Sequence, residues 1–229
     1  MTRLRSPSPL SPTARLDLGD DAAHHARVLR LSVGDALVVF DTEGREAPAE
    51  ILTLAPLVVS LGAITQRARE PHAPVLVQCV PKGSKLDDVV RAATEAGVGE
   101  IHLALAARSI ARGEARLDRL VRIAEEAARQ SEAPRVPTIV PPAPLLQVAV
   151  RAPTSASRIV LSPRTDTRLR DLAPPAWLVV GPEGGLDDAE TDALVALGFT
   201  LARIDTHVLR TEHAGPIAVA LARELTRRS

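Results

Sequence analysis

The chain has 229 residues, of which 45% are apolar and 24% are charged, and its formal net charge is zero. This composition is typical of a folded globular protein and excludes an intrinsically disordered one. With no net charge, and with two Phe, one Trp and no Tyr, the chain lacks a global field that attracts nucleic acid and the rings on which single-stranded bases stack. RNA binding would therefore need a local patch of arginines.

The apolar segments and the cysteine content indicate the compartment. No apolar segment approaches the roughly 18 residues needed to span a bilayer. Residues 1–7 lack the apolar core of a signal peptide. Cys79 is the one cysteine, and because it stands in an apolar, strand-like run we expect a buried thiol. Together these features predict a cytoplasmic protein.

The N-terminal region has the pattern of short strands. Apolar runs at residues 36–40, 49–54 and 57–61 are separated by turn residues at 41–44. Their spacing predicts a small β-barrel that extends to about residue 70. Residues 66–74 contain two prolines and three charged residues, which indicates a linker.

From residue 75 onward, strands and helices alternate. Strand-like runs lie at residues 75–80, 101–105, 159–161 and 177–180. Two amphipathic helices have their apolar faces at Leu86, Val89, Val90 and Ala93, ending at Gly97, and at Leu117, Leu120, Val121 and Ala124, running to about Gln130. This alternation predicts an α/β fold with a mainly parallel sheet and helices on both faces. Residues 132–157 are rich in proline with little periodicity, which predicts an irregular connection.

The most informative segment is residues 178–185, Leu-Val-Val-Gly-Pro-Glu-Gly-Gly. A buried strand ending at Val180 leads through a glycine-rich loop into a helix, which Asp187 and Glu190 are predicted to cap. The loop has neither the Gly-Lys-Ser/Thr of a Walker A loop nor the GxGxxG spacing of a dinucleotide site. Because Glu183 would repel a pyrophosphate, we expect a neutral or cationic ligand. On the loop alone, an ordinary glycine-rich turn is an equally good interpretation.

The segments that follow give this loop a context. After the helix, for which Gly198 is a predicted C-terminal cap, come a short strand at residues 200–204 and the segment Asp205-Thr-His-Val-Leu-Arg-Thr-Glu-His-Ala214. An amphipathic C-terminal helix then places Ile217, Leu221 and Leu225 on one face. This order resembles the C-terminal half of the uridine-N3 methyltransferases of small-subunit ribosomal RNA, the RsmE family of the SPOUT class.

The resemblance extends over nearly the whole chain. Further similar blocks, in the family's order, are His25-Ala-Arg-Val-Leu-Arg-Leu-Ser-Val-Gly-Asp35, Lys82-Gly-Ser-Lys-Leu-Asp87, Thr94-Glu-Ala-Gly-Val98, Arg108-Ser109 and Glu126-Ala-Ala-Arg-Gln-Ser131. The chain departs from the family at four places: Asp205 stands where the family has a glycine beside the cofactor, Leu186 replaces a phenylalanine, His213 replaces a threonine and Ala133 stands near a usual arginine.

The resemblance implies a fold and an activity. Residues 1–70 would form a PUA-like RNA-binding β-barrel, and residues 71–229 a SPOUT methyltransferase domain with a trefoil knot. The implied activity is S-adenosylmethionine-dependent methylation of N3 of a specific uridine in the 16S rRNA of the small ribosomal subunit. The implied partners are this rRNA, within the assembled small subunit, and a second copy of the chain in a homodimer, with no membrane and no metal.

Site residues follow from the chemistry and from the family. Removal of the uracil N3 proton leaves negative charge on O2 and O4, and the planar N–H fork of arginine suits such oxygens. Arg210 is therefore a candidate catalytic residue. Glu183 is a second, which would face the sulfonium or accept a proton, although bonding loop N–H groups is an equally good role. Glu212 has either a helix-capping or a catalytic role, and the general base is left unassigned.

The remaining site residues belong to the cofactor and to RNA. By family analogy, the S-adenosylmethionine pocket is formed by Leu161, Ser162, Gly181, Pro182, Glu183, Gly184, Gly185, Ile204, Val208 and Leu209. The candidate RNA-binding residues, predicted to converge on one face of the two domains, are Arg3, Arg5, Arg27, Arg30, Lys82, Lys85 and Arg108. The histidine pairs His24/His25 and His207/His213 lack the spacing of a metal site.

Two other functions are compatible with these residues. One is a non-catalytic RNA-binding protein that retains the SPOUT fold, with Asp205 blocking the adenine pocket. The other is a nucleotide-dependent enzyme that uses the glycine loop as a phosphate cradle, which the negative charge of Glu183 disfavours.

Overall fold

The computed structural model describes residues 2–67, 72–109, 117–133, 135–170 and 172–227. The chain divides into two compact units. The first unit comprises Met1–Arg69 and Ala128–Val136, and the second comprises Glu70–Ala127 and Pro137–Ser229. Part of the predicted linker, residues 68–71, lies outside the described residues.

The first unit is built on a six-stranded sheet. Its elements are β1 (Arg3–Arg5), β2 (Leu16–Asp17), α1 (Gly19–Val28), β3 (Ala36–Phe40), β4 (Arg45–Leu54), β5 (Leu57–Leu61) and β6 (Thr65–Gln66). The strand order is β1-β3-β4-β5-β2, with β6 paired to β4. Alternate residues of β4 are buried, as expected for a strand with one face in a core.

Helix α1 was not predicted from the sequence, which gave only strands in this region. Its buried residues are Ala22 and Ala26, while its first turn is acidic and its last turn basic. Two buried alanines give too weak an apolar periodicity to identify a helix. The helix packs against β1 and β5.

The predicted turn between β3 and β4 is confirmed, and Asp41 organises it. Oδ1 accepts hydrogen bonds from the backbone N–H groups of Glu43 and Arg45, each at 2.9 Å. Oδ2 accepts from the backbone N–H of Leu10 and from Nε of Arg45, each at 2.8 Å. Gly44 has a φ of 81°, a conformation that a glycine adopts without strain.

The second unit alternates strands and helices as predicted. Its elements are β7 (Val75–Cys79), α2 (Lys85–Glu95), β8 (Glu100–Leu105), α3 (Leu117–Gln130), β9 (Thr138–Pro144), α4 (Leu145–Ala149), β10 (Ser157–Leu161), β11 (Ala176–Val180), α5 (Asp188–Ala196), β12 (Thr200–Ala202) and α6 (Thr211–Arg227). The strand order is β12-β10-β11-β7-β8-β9, and each neighbouring pair is parallel. The predicted parallel sheet is confirmed.

Helices cover both faces of this sheet. Val77 and Val179 share an apolar core with Val148 of α4 and Leu194 of α5. On the opposite face, α6 packs against α2, β7 and β11. Cys79 is buried in β7, so the predicted buried thiol is confirmed, and burial raises the pKa of this thiol to about 12.

One prediction for this unit was wrong. Residues 132–157 were expected to be an irregular connection, but they contain β9 and α4. Strand β9 lies at the edge of the sheet, beside β8. An edge strand tolerates prolines such as Pro141 and Pro142 because one of its sides needs no ladder hydrogen bonds.

The two helices after the glycine loop differ in how they are fixed. Asp187 and Glu190 form the predicted capping box of α5, and Gly198 follows its end with a φ of 83°. Helix α6 buries Ala218 and Val219, while the predicted apolar face leaves Ile217 and Leu221 39% and 37% exposed. Among the described residues, no helix combines the length and the apolar character needed to span a membrane.

Candidate active site

A cavity of about 730 Å³ lies in the second unit. It is bordered by the loops that follow β10, β11 and β12 and by the first turn of α6, at the carboxyl ends of parallel strands, where open α/β sheets bind ligands. The predicted cofactor residues all line this cavity: Leu161, Ser162, Gly181, Pro182, Glu183, Gly184, Gly185, Ile204, Val208 and Leu209.

Two glycines of the loop have a physical reason to be glycine, close packing at Gly181 and a positive φ at Gly185. A Cβ atom on Gly181 would lie 3.2 Å from the backbone nitrogen of Leu186 and 3.3 Å from its Cγ. Gly185 has a φ of 70°, which strains residues with a side chain. The loop backbone therefore forms the cavity wall directly.

Hydrogen bonds tie this loop to the start of α6. The hydroxyl of Thr211 donates to the carbonyl of Gly181 at 2.7 Å and accepts from Nε2 of Gln78 at 3.2 Å. Gln78 is a fully buried polar residue in the otherwise apolar β7. Sequence reasoning missed it, although a glutamine inside an apolar run was a readable signal, since buried polar groups need partners.

The loop after β8 also supports the glycine loop. Arg108 donates to the carbonyl of Gly184 at 2.7 Å. The carboxylate of Glu190 accepts from the backbone N–H of Ala107 at 2.7 Å and from that of Asp187 at 3.0 Å. The capping box therefore fixes a neighbouring loop as well as a helix end.

Four charged residues on the cavity wall form what we call the cavity charge cluster: Lys85, Glu183, Arg210 and Glu212. Nζ of Lys85 lies 2.9 Å from Oε1 of Glu183 and 3.7 Å from Oε2 of Glu212. Nη1 of Arg210 lies 3.9 Å from Oε1 of Glu212. Glu212 therefore has one cation beside each of its oxygens.

Hydrogen bonding shifts the pKa values of two of these groups, Glu183 and Lys85. Oε1 and Oε2 of Glu183 accept from the backbone N–H of Lys82 at 3.2 and 3.3 Å. Although burial acts to raise it, these bonds and the Lys85 ammonium lower the pKa of Glu183 below its usual value. The hydrogen bond to Glu183 in turn raises the pKa of Lys85. Both groups are therefore charged at neutral pH.

The carboxylate of Asp205, the residue that departs from the glycine of the resembled family, pairs with two arginines. Its carboxylate lies 3.2 Å from Nη1 of Arg168 and 3.4 Å from Nη1 of Arg203. Its neighbours Ile204 and Thr206 line the cavity, whereas Asp205 is not among the lining residues.

The candidate RNA-binding residues differ in their surroundings. Lys85 and Arg108 line the cavity. Lys82, which is close to Lys85 in sequence, is exposed. In the first unit Arg27 and Arg30 are exposed and Arg5 is half-buried.

Arg3 is the exception among them. It is 8% exposed, pairs with Glu46 at 3.1 Å and lies over the ring of Phe40 at 4.9 Å. Burial and the nearby Arg67 lower its pKa. These contacts favour a structural role for Arg3, and the predicted convergence of the other residues on one face stays a prediction. Within the described residues, no group of His, Cys, Asp and Glu is arranged to hold a metal ion.

Comparisons with known proteins agree with this architecture. The RNA methyltransferase domain family matches residues 68–223, and the RNA methyltransferase PUA domain family matches residues 18–56. The "Ribosomal RNA small subunit methyltransferase E" of Mycobacterium bovis is 32% identical over 225 residues, covering 92% of this chain and 86% of that protein. Its namesake from Synechocystis is 31% identical over 204 residues, covering 85% and 67%.

Solved structures with this fold include two that were determined with a ligand. Ribosomal RNA small subunit methyltransferase E from Neisseria gonorrhoeae, bound to S-adenosyl methionine, superposes with a TM-score of 0.87 at 27% identity, covering 98% of both chains. A methyltransferase from Legionella pneumophila in complex with the same cofactor gives 0.84 at 26% identity, also over 98% of both chains.

The parallel sheet, the glycine-loop cavity and the matched domains define an RNA methyltransferase with a PUA-like domain. The chain belongs to the family of the small-subunit ribosomal RNA methyltransferases E. The family resemblance predicted from the sequence is confirmed.

Proposed function

We propose that this protein transfers a methyl group from S-adenosylmethionine to N3 of a uridine in the 16S rRNA of the small ribosomal subunit. One observation carries the proposal. In a chain of this family, the predicted cofactor residues all line one cavity, and the cavity charge cluster lies on its wall. Small-molecule sites are typically such concave, largely preformed pockets.

The cavity fits S-adenosylmethionine in size and in the apolar surface that it offers. Its volume of about 730 Å³ lies within the range of roughly 300–1,000 Å³ typical of small-molecule sites. Leu161, Ile204 and Leu209 offer apolar surface to an adenine ring. Beside its cationic side chains the lining has the carboxylates of Glu183 and Glu212, which would attract the sulfonium. When bound, the cofactor supplies an electrophilic methyl group.

Arg210 is our candidate for stabilising charge on the uracil. Its side chain is 80% exposed, which leaves its N–H groups accessible to a base that enters the cavity. Loss of the N3 proton places charge on O2 and O4, and a fork of donors aimed at such an oxygen is a strong source of catalysis.

The contacts of Glu183 favour the structural alternative among its two predicted roles. Because both of its oxygens accept hydrogen bonds and its pKa is lowered, it is a weak base. We propose that it orients Lys85 and the loop at Lys82, and that its charge complements the sulfonium.

The two units would divide the work. We propose that residues 1–70 form a PUA-like RNA-binding domain and residues 71–229 a SPOUT domain whose C-terminal segment passes through a trefoil knot, as in the family. In support of this, α6 follows the edge strand β12 yet packs against the central strands β7 and β11. This path of the chain, from the edge strand back to the centre of the sheet, places Arg210 and Glu212 beside the glycine loop.

We further propose a homodimer that acts in the cytoplasm on the assembled small subunit. Ile217 and Leu221 form a partly exposed apolar surface on α6, and Val208 beside the cavity is 80% exposed. A second copy of the chain would cover such a surface. Sedimentation should give a dimer at micromolar concentration, and a stable monomer would contradict this part of the proposal.

The alternative is a non-catalytic RNA-binding protein with the adenine pocket blocked by Asp205. The pairing of Asp205 with Arg168 and Arg203 counts against it, because two guanidinium groups engage the carboxylate and Asp205 is not among the residues that line the cavity. Calorimetry with S-adenosylmethionine, ATP and NAD separates the functions. We expect saturable binding of S-adenosylmethionine alone; binding of ATP or NAD instead, or of no ligand, would overturn the proposal.

Activity is tested by incubating the protein with labelled S-adenosylmethionine and small ribosomal subunits that lack the modification. We expect label in 3-methyluridine, with much less label when naked 16S rRNA replaces the subunits. Label in another nucleoside would contradict the choice of base. Equal labelling of naked rRNA would contradict the assembled subunit as substrate.

A further inference from the structure

Glu212 has a buried carboxylate oxygen, Oε2, that accepts no hydrogen bond from the described residues. The residue lies in the first turn of α6 and lines the cavity, and its side chain is 9% exposed. Among the described residues, no donor makes a hydrogen bond to Oε2, and its nearest cation, Nζ of Lys85, is 3.7 Å away. A buried charged acceptor without a donor is unfavourable in a folded protein unless a ligand completes it.

A comparison of Glu183 with Glu212 shows which carboxylate is available to accept a proton. Both oxygens of Glu183 accept hydrogen bonds, from the backbone of Lys82 and from the side chain of Lys85. Glu212 lines the same cavity, and among the described residues no donor makes a hydrogen bond to its Oε2. Proton removal needs a carboxylate oxygen with unused acceptor capacity, which Glu212 has.

The two cations beside Glu212 lie next to different oxygens of its carboxylate. Arg210 lies beside Oε1 at 3.9 Å and Lys85 beside Oε2 at 3.7 Å. The wall therefore presents donor, acceptor and donor in that order. The imide edge of uracil presents the complementary order, with acceptor O2, donor N3–H and acceptor O4. Cytosine has an acceptor at N3 and a donor at N4, so it mismatches this wall.

We propose that Glu212 is the catalytic base that removes the N3 proton and, with Arg210 and Lys85, selects the uracil imide. This inference rests on the proposed function. The N3–H bond breaks as its proton forms an O–H bond with the Glu212 carboxylate, and the N3 electron pair forms the bond to the methyl carbon. The bond between that carbon and sulfur breaks, and its electron pair stays on sulfur. The carboxylate and sulfonium charges are both neutralised.

The test compares Glu212→Gln, which keeps the shape and removes the base, with Asp188→Asn. Asp188 is an exposed carboxylate in the first turn of α5, so its variant controls for loss of charge at a helix start. We expect kcat on small subunits to fall by about 10²–10⁴-fold in Glu212→Gln and to stay within about twofold in Asp188→Asn. Glu212→Asp, which retains a shorter base, should keep more activity than Glu212→Gln.

Two further measurements separate a base from a structural residue. RNA containing 5-fluorouridine at the target has a more acidic N3 proton, so the Glu212→Gln defect should shrink at least tenfold on it, and the Arg210→Ala defect should shrink less. Calorimetry should give a dissociation constant for S-adenosylmethionine within about threefold of wild type, and thermal unfolding should show that the variant is folded.

The outcomes are distinct. Near wild-type kcat in Glu212→Gln, an undiminished defect on 5-fluorouridine, or a parallel loss of cofactor affinity would each overturn the assignment of Glu212 while the proposed function stands. If the wild-type protein transfers no methyl group to any uridine, the proposed function itself fails, and the inference fails with it.

Discussion

The turn between β3 and β4 and the cavity of the second unit each contain a buried carboxylate, and the two are completed differently. Asp41 is 1% exposed, and donors saturate both of its oxygens. Glu212 is 9% exposed, yet among the described residues Oε2 has no hydrogen-bond donor. A saturated buried charge stabilises a fold, whereas an unsaturated one at a cavity leaves capacity for a ligand.

The arginines of the two regions repeat this difference. Arg3 is buried and paired with Glu46, which also pairs with Arg67, so its removal would break part of a partly buried ion-pair network. Arg210 is largely exposed, and its ion pair with Glu212 is long, at 3.9 Å. Substitutions in the first region should therefore change stability, and those in the second should change catalysis.

After that of Glu212→Gln, the largest effect is expected at Arg210. If it stabilises charge on the uracil carbonyls, Arg210→Ala should lower kcat by about 10²–10³-fold with little change in cofactor affinity. Arg210→Lys should recover little, because an ammonium cannot reproduce the planar fork. Steady-state kinetics and calorimetry check both statements. Equal losses in kcat and in cofactor affinity would make Arg210 a binding or structural residue.

Removal of the Asp41 charge should act on stability alone. Asp41→Asn replaces an acceptor of backbone and guanidinium hydrogen bonds and should lower the free energy of unfolding by about 2–3 kcal/mol. The control is Asp35→Asn, because that half-buried turn carboxylate accepts from the backbone N–H of Ser32 and its loss should cost less than about 1 kcal/mol. Denaturant titration measures both. Equal losses in the two variants would contradict the structural reading of Asp41.

The Asp41 contribution should also depend on pH. Although burial acts to raise it, hydrogen bonds from the backbone of Leu10 and Arg45 and from the Arg45 guanidinium lower the pKa of Asp41. A depressed pKa stabilises the fold above the unfolded-state value of about 3.9 and loses its effect as the pH falls through the folded-state value. The stability difference between wild type and Asp41→Asn should be constant above about pH 5 and shrink below about pH 4. A difference that does not change with pH would contradict this.

The sequence predicted the second unit well because its signals are local. Apolar alternation located the strands, and the spacing of Asp187 and Glu190 identified the cap of α5. Family motifs identified the residues of the cavity. Helix α1 and strand β9 were missed because two alanines and an edge position rich in proline give little periodicity.

The cavity charge cluster could not be predicted from the sequence, for a different reason. The open oxygen of Glu212 depends on where α2 places Lys85 and where the glycine loop places Glu183, residues that are far apart in sequence. Likewise, nothing in the sequence near Arg3 indicates that Glu46 and Phe40 surround it. Whether a charged side chain has all of its hydrogen-bond and ion-pair partners can be seen only in the three-dimensional structure.

Among the first-unit arginines, Arg30 should behave unlike Arg3. Its φ of 55° makes asparagine, which tolerates this conformation, a better replacement than alanine. Arg30→Asn should weaken RNA binding and reduce the slope of log affinity against log salt by about 1, with cofactor affinity unchanged. Filter binding over a range of salt concentrations measures this. An unaltered slope would show that Arg30 contacts no phosphate.

The smallest effect is expected at Asp205. Its partly exposed pairs with Arg168 and Arg203 contribute about 0–1 kcal/mol to stability, and its carboxylate does not line the cavity. Asp205→Gly, which restores the family residue, should leave cofactor affinity nearly unchanged in calorimetry. A loss of about 1 kcal/mol or more would mean that Asp205 bonds the adenine.

The central claim, methylation of a 16S rRNA uridine at N3, is tested most directly by mass spectrometry of 16S rRNA nucleosides from a strain in which this gene is deleted. We expect 3-methyluridine to disappear from that rRNA and to return with the wild-type gene, but to remain low with the gene encoding Arg210→Ala. An unchanged amount of 3-methyluridine in the deletion strain, or the loss of a different modified nucleoside, would contradict the proposed function.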